Sequence, residues 1–247
     1  MPSAGRGTLI LVLRHLAGRV WWYPHHPDPN NVEAGVAVVV GDGGSVVVDA
    51  GNGPAAARRI RTAIEAAGLP PARRLVYSHH HWDHTWGACA WPDVEIVGHA
   101  AGARLLEAEA RRPWGHAYLR AAVEANPRLL PSFRARAWAM PTWDGFRVVP
   151  PHVEFDDTVT LADGVVAHHV GGGHAPDATV VTVPDSGVLL FGDAVYPPPL
   201  HLRGTDDTGY DLAVAAKLLG LGDFDWYLGS HEDPHPRTAV VELLSTG

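Results

Sequence analysis

The stretch Tyr77-Ser78-His79-His80-His81-Trp82-Asp83-His84 constrains this chain more than any other. It places the metal-capable side chains His79, His81, Asp83 and His84 directly after the apolar run Leu75-Val76-Tyr77. His79 and His81 are two residues apart, so they cannot share a helix face as i, i+4 ligands do. The stretch therefore belongs at the end of a strand running into a loop, and the fold must bring further ligands to that end. Cys89 is the single cysteine, which excludes an intrachain disulfide and a multi-thiolate site. Any metal here is held by imidazole and carboxylate.

The elements around this strand end can be read from periodicity and turn residues. Residues 8–23, 36–40 and 45–48 are rich in β-branched and aromatic side chains and predict an opening β-meander, with Gly41-Asp42-Gly43-Gly44 as one turn. Asp49-Ala50-Gly51-Asn52-Gly53 closes the last of these strands. Pro54 opens a helix running to about Ala67, and Gly68 stops it. Strands over 75–78 and 94–98 then alternate with helix, which predicts a mixed or parallel half-sheet. From about 100 to 147 the strand signals stop, and two or three inserted helices are expected, their Trp114, Tyr118, Trp138 and Trp143 serving as packing. Residues 153–155, 158–161, 165–170, 179–183 and 188–191 predict a second β-meander. A helix over 212–219, a short strand at Trp226-Tyr227-Leu228 and a helix after Pro236 complete the chain.

With 247 residues and 46% hydrophobic content, the chain can bury a full-sized core and reads as one domain. A net charge of −8 lacks the basic footprint that phosphate neutralisation requires, so a small-molecule substrate is expected and a nucleic acid is not. The apolar run 9–13 is interrupted by Arg14 and His15, too short for a signal core or a membrane span. The expectation is a cytoplasmic protein without a membrane partner.

Three further ligand candidates follow strand-like runs, where open α/β architectures place their ligands. They are His174 after Gly171-Gly172-Gly173, Asp193 in Phe191-Gly192-Asp193, and His231 in Leu228-Gly229-Ser230-His231. The order Asp49, His79-x-His81-x-Asp83-His84, His174, Asp193, His231 resembles the metallo-β-lactamase fold hydrolases across nearly the whole chain. The resemblance is closer to the glyoxalase II and lactonase-like branch than to the antibiotic-degrading enzymes with a cysteine ligand, because Asp193 stands where that cysteine would be. It implies a four-layered αββα sandwich with a helical insertion, and a metal pair, normally zinc, at the sheet edge. It further implies that His79, His81 and His174 bind one ion, that Asp83, His84 and His231 bind the other, that Asp193 bridges them, and that Asp49 braces the ligands from behind. Where the family usually reads Thr-x-Gly after the third histidine, this chain reads Ala175-Pro176-Asp177.

Nitrogen and oxygen ligands without thiolate suit Zn²⁺ and also admit Fe or Mn. The expected function is dinuclear zinc-dependent hydrolysis of a small ester, thioester, lactone or amide by a metal-bridging hydroxide, with Asp83 orienting the nucleophile and carrying its proton. Tyr196 is a candidate donor to the substrate oxyanion. His80 is expected to point away from the metals and Trp82 to pack, both holding the loop in place. His25, His26 and His201 sit in Pro-rich loops that could border a cleft. Two alternatives share these ligands: a mononuclear iron enzyme resembling the persulfide dioxygenases, and a metal-stabilised binding protein without turnover. The insertion is expected to supply a pocket wall or a homodimer contact.

Overall fold

The computed structural model describes residues 11–199, 201–204 and 209–246. Residues 8–10 of the first predicted strand lie outside the described residues. Among those described, seven strands form one sheet in chain order: β1 (Arg14–Ala17), β2 (Val20–Tyr23), β3 (Val36–Gly41), β4 (Gly44–Val48), β5 (Ala72–Val76), β6 (Glu95–His99) and β7 (Val153–Phe155). Pairing is antiparallel from β1 to β4 and parallel from β4 to β7. The second sheet has the order β13-β12-β11-β10-β9-β8, built from β8 (Thr158–Thr160), β9 (Val166–His169), β10 (Thr179–Val183), β11 (Val188–Gly192), β12 (Trp226–Gly229) and β13 (His235–Pro236). Its one parallel pair is β11 with β12.

Alternation along the strands builds the layers. In β3, Val36 and Val38 face a cluster with Ile60 and Ile64 of helix α1 (Pro54–Ala66), while Ala37 and Val39 face a second cluster with Val181, Val183 and Val188 of the opposite sheet. Successive side chains point to opposite faces of a strand, so a run apolar at every position must be covered on both. The outer face of the second sheet is covered by α6 (Leu212–Gly220), whose Val214, Ala215 and Leu218 pack on Val180, Leu189 and Tyr227. The result is the expected αββα sandwich.

Two expectations about the elements are corrected. Val153–Phe155 does not start the second meander; it pairs parallel with β6 through Val97–Val153 and closes the first sheet. The chain changes sheet only between β7 and β8. Periodicity identifies a strand but not its partner, and here the turn residues Asp156 and Asp157 mark a crossing between sheets. The second correction concerns Trp138, which is exposed, in ring contact with Arg134, whereas Trp114 and Trp143 pack on Trp86 as expected. The insertion forms α3 (Ala100–Ala110), α4 (His116–Ala125) and α5 (Leu130–Ala139).

Candidate metal centre

Parallel pairing brings the ligand loops together. β4 and β5 end side by side at Val48 and Val76, so Asp49 and Ser78 emerge as neighbours, and Ser78 N–H donates to Asp49 Oδ1 at 2.7 Å. β11 and β12 end together in the other sheet, which puts Asp193 beside Ser230 and His231. Backbone bonds tie the two sheets at this edge: Thr179 N to Ser78 O at 2.7 Å, and Gly35 N to Ser230 O at 2.6 Å. Gly192 has φ +56°, and a Cβ there would meet the Ser78 side chain at 2.8 Å, so only glycine allows this close approach. His81 caps the short helix α2 (Trp82–Thr85), whose single turn carries Asp83 and His84 toward Asp193.

The seven candidate ligands converge as two groups, His79 with His81 and His174, and Asp83 with His84, Asp193 and His231. In the first, His79 Nε2 is 2.8 Å from His81 Nδ1 and 3.2 Å from His174 Nε2, and His81 Nδ1 is 3.0 Å from His174 Nε2. Burial, then the neighbouring His84, holds His79 well below the usual imidazole range; burial, then His80, does so for His81. The tautomers follow from the groups behind the rings. His79 Nδ1 donates to Ser78 Oγ at 3.1 Å and His174 Nδ1 to the Pro197 carbonyl at 3.0 Å, leaving both Nε2 lone pairs directed inward.

The second group is charged. Burial would lower His84 and raise the carboxyls, yet the ion pairs win: Asp83, Asp193 and Asp49 raise His84 well above its ordinary value, and Asp83 and Asp193 lie well below theirs. His231, opposed by burial, is pushed up to about 10 by Asp193 and Asp83. Asp193 Oδ2 lies 3.4 Å from both His84 Nε2 and His231 Nε2 and 3.5 Å from His174 Nε2, so one oxygen faces both groups. Asp49 stands behind: its Oδ2 accepts from His84 Nδ1 at 2.7 Å and from Ser78 Oγ at 2.8 Å.

These residues fit a pair of divalent cations. Nitrogens bound tetrahedrally at about 2.05 Å would lie about 3.3 Å apart, which the observed 2.8, 3.0 and 3.2 Å of the first group approach from below. Proton sharing does not satisfy the cluster either, because His84 Nε2 and Asp193 Oδ1 are buried without hydrogen-bond partners.

A family model for the metallo-beta-lactamase superfamily matches residues 30–243. The chain belongs to that superfamily. Its membership and its His/Asp cluster make it a metal-dependent hydrolase of the metallo-beta-lactamase fold. Similar solved structures include the metallo-beta-lactamase FIM-1 of Pseudomonas aeruginosa in its mono-zinc form, at 15% identity, TM-score 0.65, covering 96% of this chain and 94% of that one. The metallo-beta-lactamase of Hirschia baltica aligns at 19% identity and TM-score 0.64 over 95% and 96% of the two chains. That of Pontibacter korlensis aligns at 20% and 0.60 over 95% and 97%. At these identities the likeness is one of fold. No curated protein matches the sequence significantly. Among the described residues, no helix is long and apolar enough to cross a membrane.

The metallo-beta-lactamase scaffold here opens onto a cavity of about 800 Å³ with His81, Asp83, Asp193 and His231 in its wall. The insertion supplies the facing wall through α3, α4 and α5. His201 borders this cavity, whereas His25 and His26 do not. His80 turns from the ligands to Asp177 Oδ1, 2.7 Å from its Nδ1, so the unusual Asp177 secures the ligand loop from the other sheet. Trp82 is buried against Trp86 and also reaches the cavity wall. Tyr196 is not among the lining residues; its hydroxyl is buried without a hydrogen-bond partner, close to Gly229. To meet a substrate it would have to leave its packing against Phe191 and His231.

Sequence reasoning missed Arg136. It is 7% exposed, lies within 6 Å of four aromatic rings, and lines the cavity. Burial pushes its guanidinium down to about 10, which leaves it charged at neutral pH. The available signal was its i+3 spacing from Phe133, which puts an arginine on the buried face of α5.

Proposed function

We propose that this protein is a dinuclear zinc-dependent hydrolase of a small-molecule ester, thioester, lactone or amide. The observation that carries the reading is Asp193 Oδ2, which faces His174 of the first group and His84 and His231 of the second at 3.4 to 3.5 Å. When bound, a divalent pair supplies polarisation of a substrate carbonyl and ionisation of a water near neutral pH. His79, His81 and His174 would hold one ion, and Asp83, His84 and His231 the other. Asp83, kept ionised by His84 and His231, is a proton acceptor in the cavity wall, placed to orient the attacking water and pass its proton to the leaving group. Absence of a cysteine from the cluster supports the glyoxalase II and lactonase-like branch.

Metal analysis with a hydrolysis panel tests this. Two zinc ions per chain are expected, with turnover of a lactone or thioester that is lost in His79→Ala and Asp193→Ala while the circular dichroism spectrum is retained. One iron per chain with oxygen uptake on a thiol persulfide would overturn the reading in favour of the dioxygenase alternative, and full zinc occupancy without turnover on any ester, lactone, thioester or amide would overturn it in favour of a binding protein.

A further inference from the structure

We propose that Arg136 is an anion anchor in the metal cavity, so that the preferred ligand carries a carboxylate, or another planar oxyanion, on the end that lies against the helical insertion. The binding claim stands on Arg136 itself; the placement of a reacting carbonyl at the metal cluster rests on the hydrolase reading above.

The side chain is held but unsatisfied. Its guanidinium carbon lies 4.7 Å from the Phe133 ring centroid, 5.2 Å from Trp86, 5.4 Å from Trp114 and 5.6 Å from Trp82. Aromatic rings restrain a guanidinium and contribute cation–π attraction, but they accept none of its five N–H donors in the manner of an oxygen. Nε is buried without a partner, and the side chain makes no hydrogen bond or ion pair with any described residue. The acids whose charges reach it make no hydrogen bond or ion pair with it: Glu109 Oε1 lies 3.6 Å from Arg112 while its Oε2 is buried without a partner, and Asp83 faces His84 and His231. A buried cation with no acceptor is expensive unless something that enters the cavity supplies one.

The shape and the charge of the cavity agree on what enters. The planar fork of a guanidinium matches the two oxygens of a carboxylate, and a fork clamped by rings loses little freedom on binding. Around it, Arg112, Arg128, Arg134 and His201 also line the cavity, and Glu109 is the one acid among the lining residues outside the metal cluster. In a chain of net charge −8 this concentrates positive charge where a ligand would enter. A purely structural role would use the faces of the guanidinium and would not need the residue in the cavity wall with Nε left without an acceptor.

Phenylacetate and its neutral isostere phenylacetamide provide the test, titrated into metal-loaded and chelator-treated protein and followed by calorimetry and by fluorescence of the tryptophans around Arg136. The acid is expected to bind at least tenfold tighter than the amide in both metal states. Arg136→Met, which keeps much of the packing volume, is expected to abolish that preference, and Arg136→Lys to retain part of it. Equal binding of acid and amide to the wild-type protein would overturn the proposal. So would a preference that survives Arg136→Met, or one that vanishes when metal is removed, since the acid would then be a metal ligand. If Arg136→Met does not fold, the wild-type comparison in chelator-treated protein still decides. Matched neutral and acidic esters separate the two readings: no turnover with the acid preference intact refutes the hydrolase and leaves the anchor, while turnover without the preference refutes the anchor and leaves the hydrolase.

Discussion

Asp49→Asn isolates what a residue behind the ligands contributes. Asp49 has φ +72°, a left-handed conformation that asparagine adopts readily, so the exchange adds no backbone strain. The amide oxygen can still accept from Ser78 N–H, which now donates to Oδ1 at 2.7 Å. The amide NH₂ would replace Oδ2, which accepts from His84 Nδ1 at 2.7 Å and from Ser78 Oγ at 2.8 Å. The serine hydroxyl can rotate and accept instead. His84 cannot: two N–H groups would face each other, and relief requires moving its proton to Nε2, the atom that points at Asp83 and Asp193. Losing a charge-assisted hydrogen bond of this kind costs about 1.5–3 kcal/mol, and at about 1.4 kcal/mol per tenfold this is a 10- to 100-fold weaker ion at the His84 group. The ion at His79, His81 and His174 should weaken less than about threefold, because the direct acceptor of His79 is the Ser78 hydroxyl. Competition titration with a chromophoric chelator resolves the two stepwise constants. If both fall equally, or neither falls in a folded protein, the tautomer argument is wrong.

Further outcomes follow from the same cluster and its surroundings. Burial holds His79 and His81 low in the metal-free protein, whereas the carboxylates hold His84 and His231 high, so zinc binding at pH 7 should release about two protons from the second group and about one more from ionisation of a bound water, measurable by calorimetry in buffers of different ionisation enthalpy. The raised His231 value has a stability consequence. Its contribution to metal-free stability is full below about pH 6.5, the unfolded value, and is lost as pH rises through about 10, so metal-free protein should lose melting temperature over that window. Tyr196→Phe removes a buried hydroxyl and should change turnover by less than about threefold; a loss of about 100-fold in kcat would instead support the oxyanion role. Gly87→Ala would drive a Cβ into the backbone carbonyl of Ala50 and should cost about 3 kcal/mol or more in chemical denaturation; a change under about 0.5 kcal/mol would show that this loop shifts freely.

The candidate ligands were legible because ligand chemistry needs particular residue types at strand ends, and His79-x-His81-x-Asp83-His84 does not place its histidines on one helix face. The strands and helices were legible for a related reason, since backbone periodicity is local. What tertiary structure decided was adjacency. Val153–Phe155 reads as a strand in either sheet, and only its pairing with β6 assigns it to the first. Asp177 reads as a loop residue after a ligand, yet the packing of the sheets makes it the partner of His80. Arg136 reads as one basic residue in an Arg-rich insertion, with no sign that α5 would fold it under three aromatic residues from two other segments, at the wall of the cavity. The sequence by itself determined which atoms are available to hold metals, because that depends on side-chain chemistry at each position. Which of them meet, and what charge a ligand finds opposite them, depends on contacts between segments far apart in the chain, and these exist only once the two sheets and the insertion have packed.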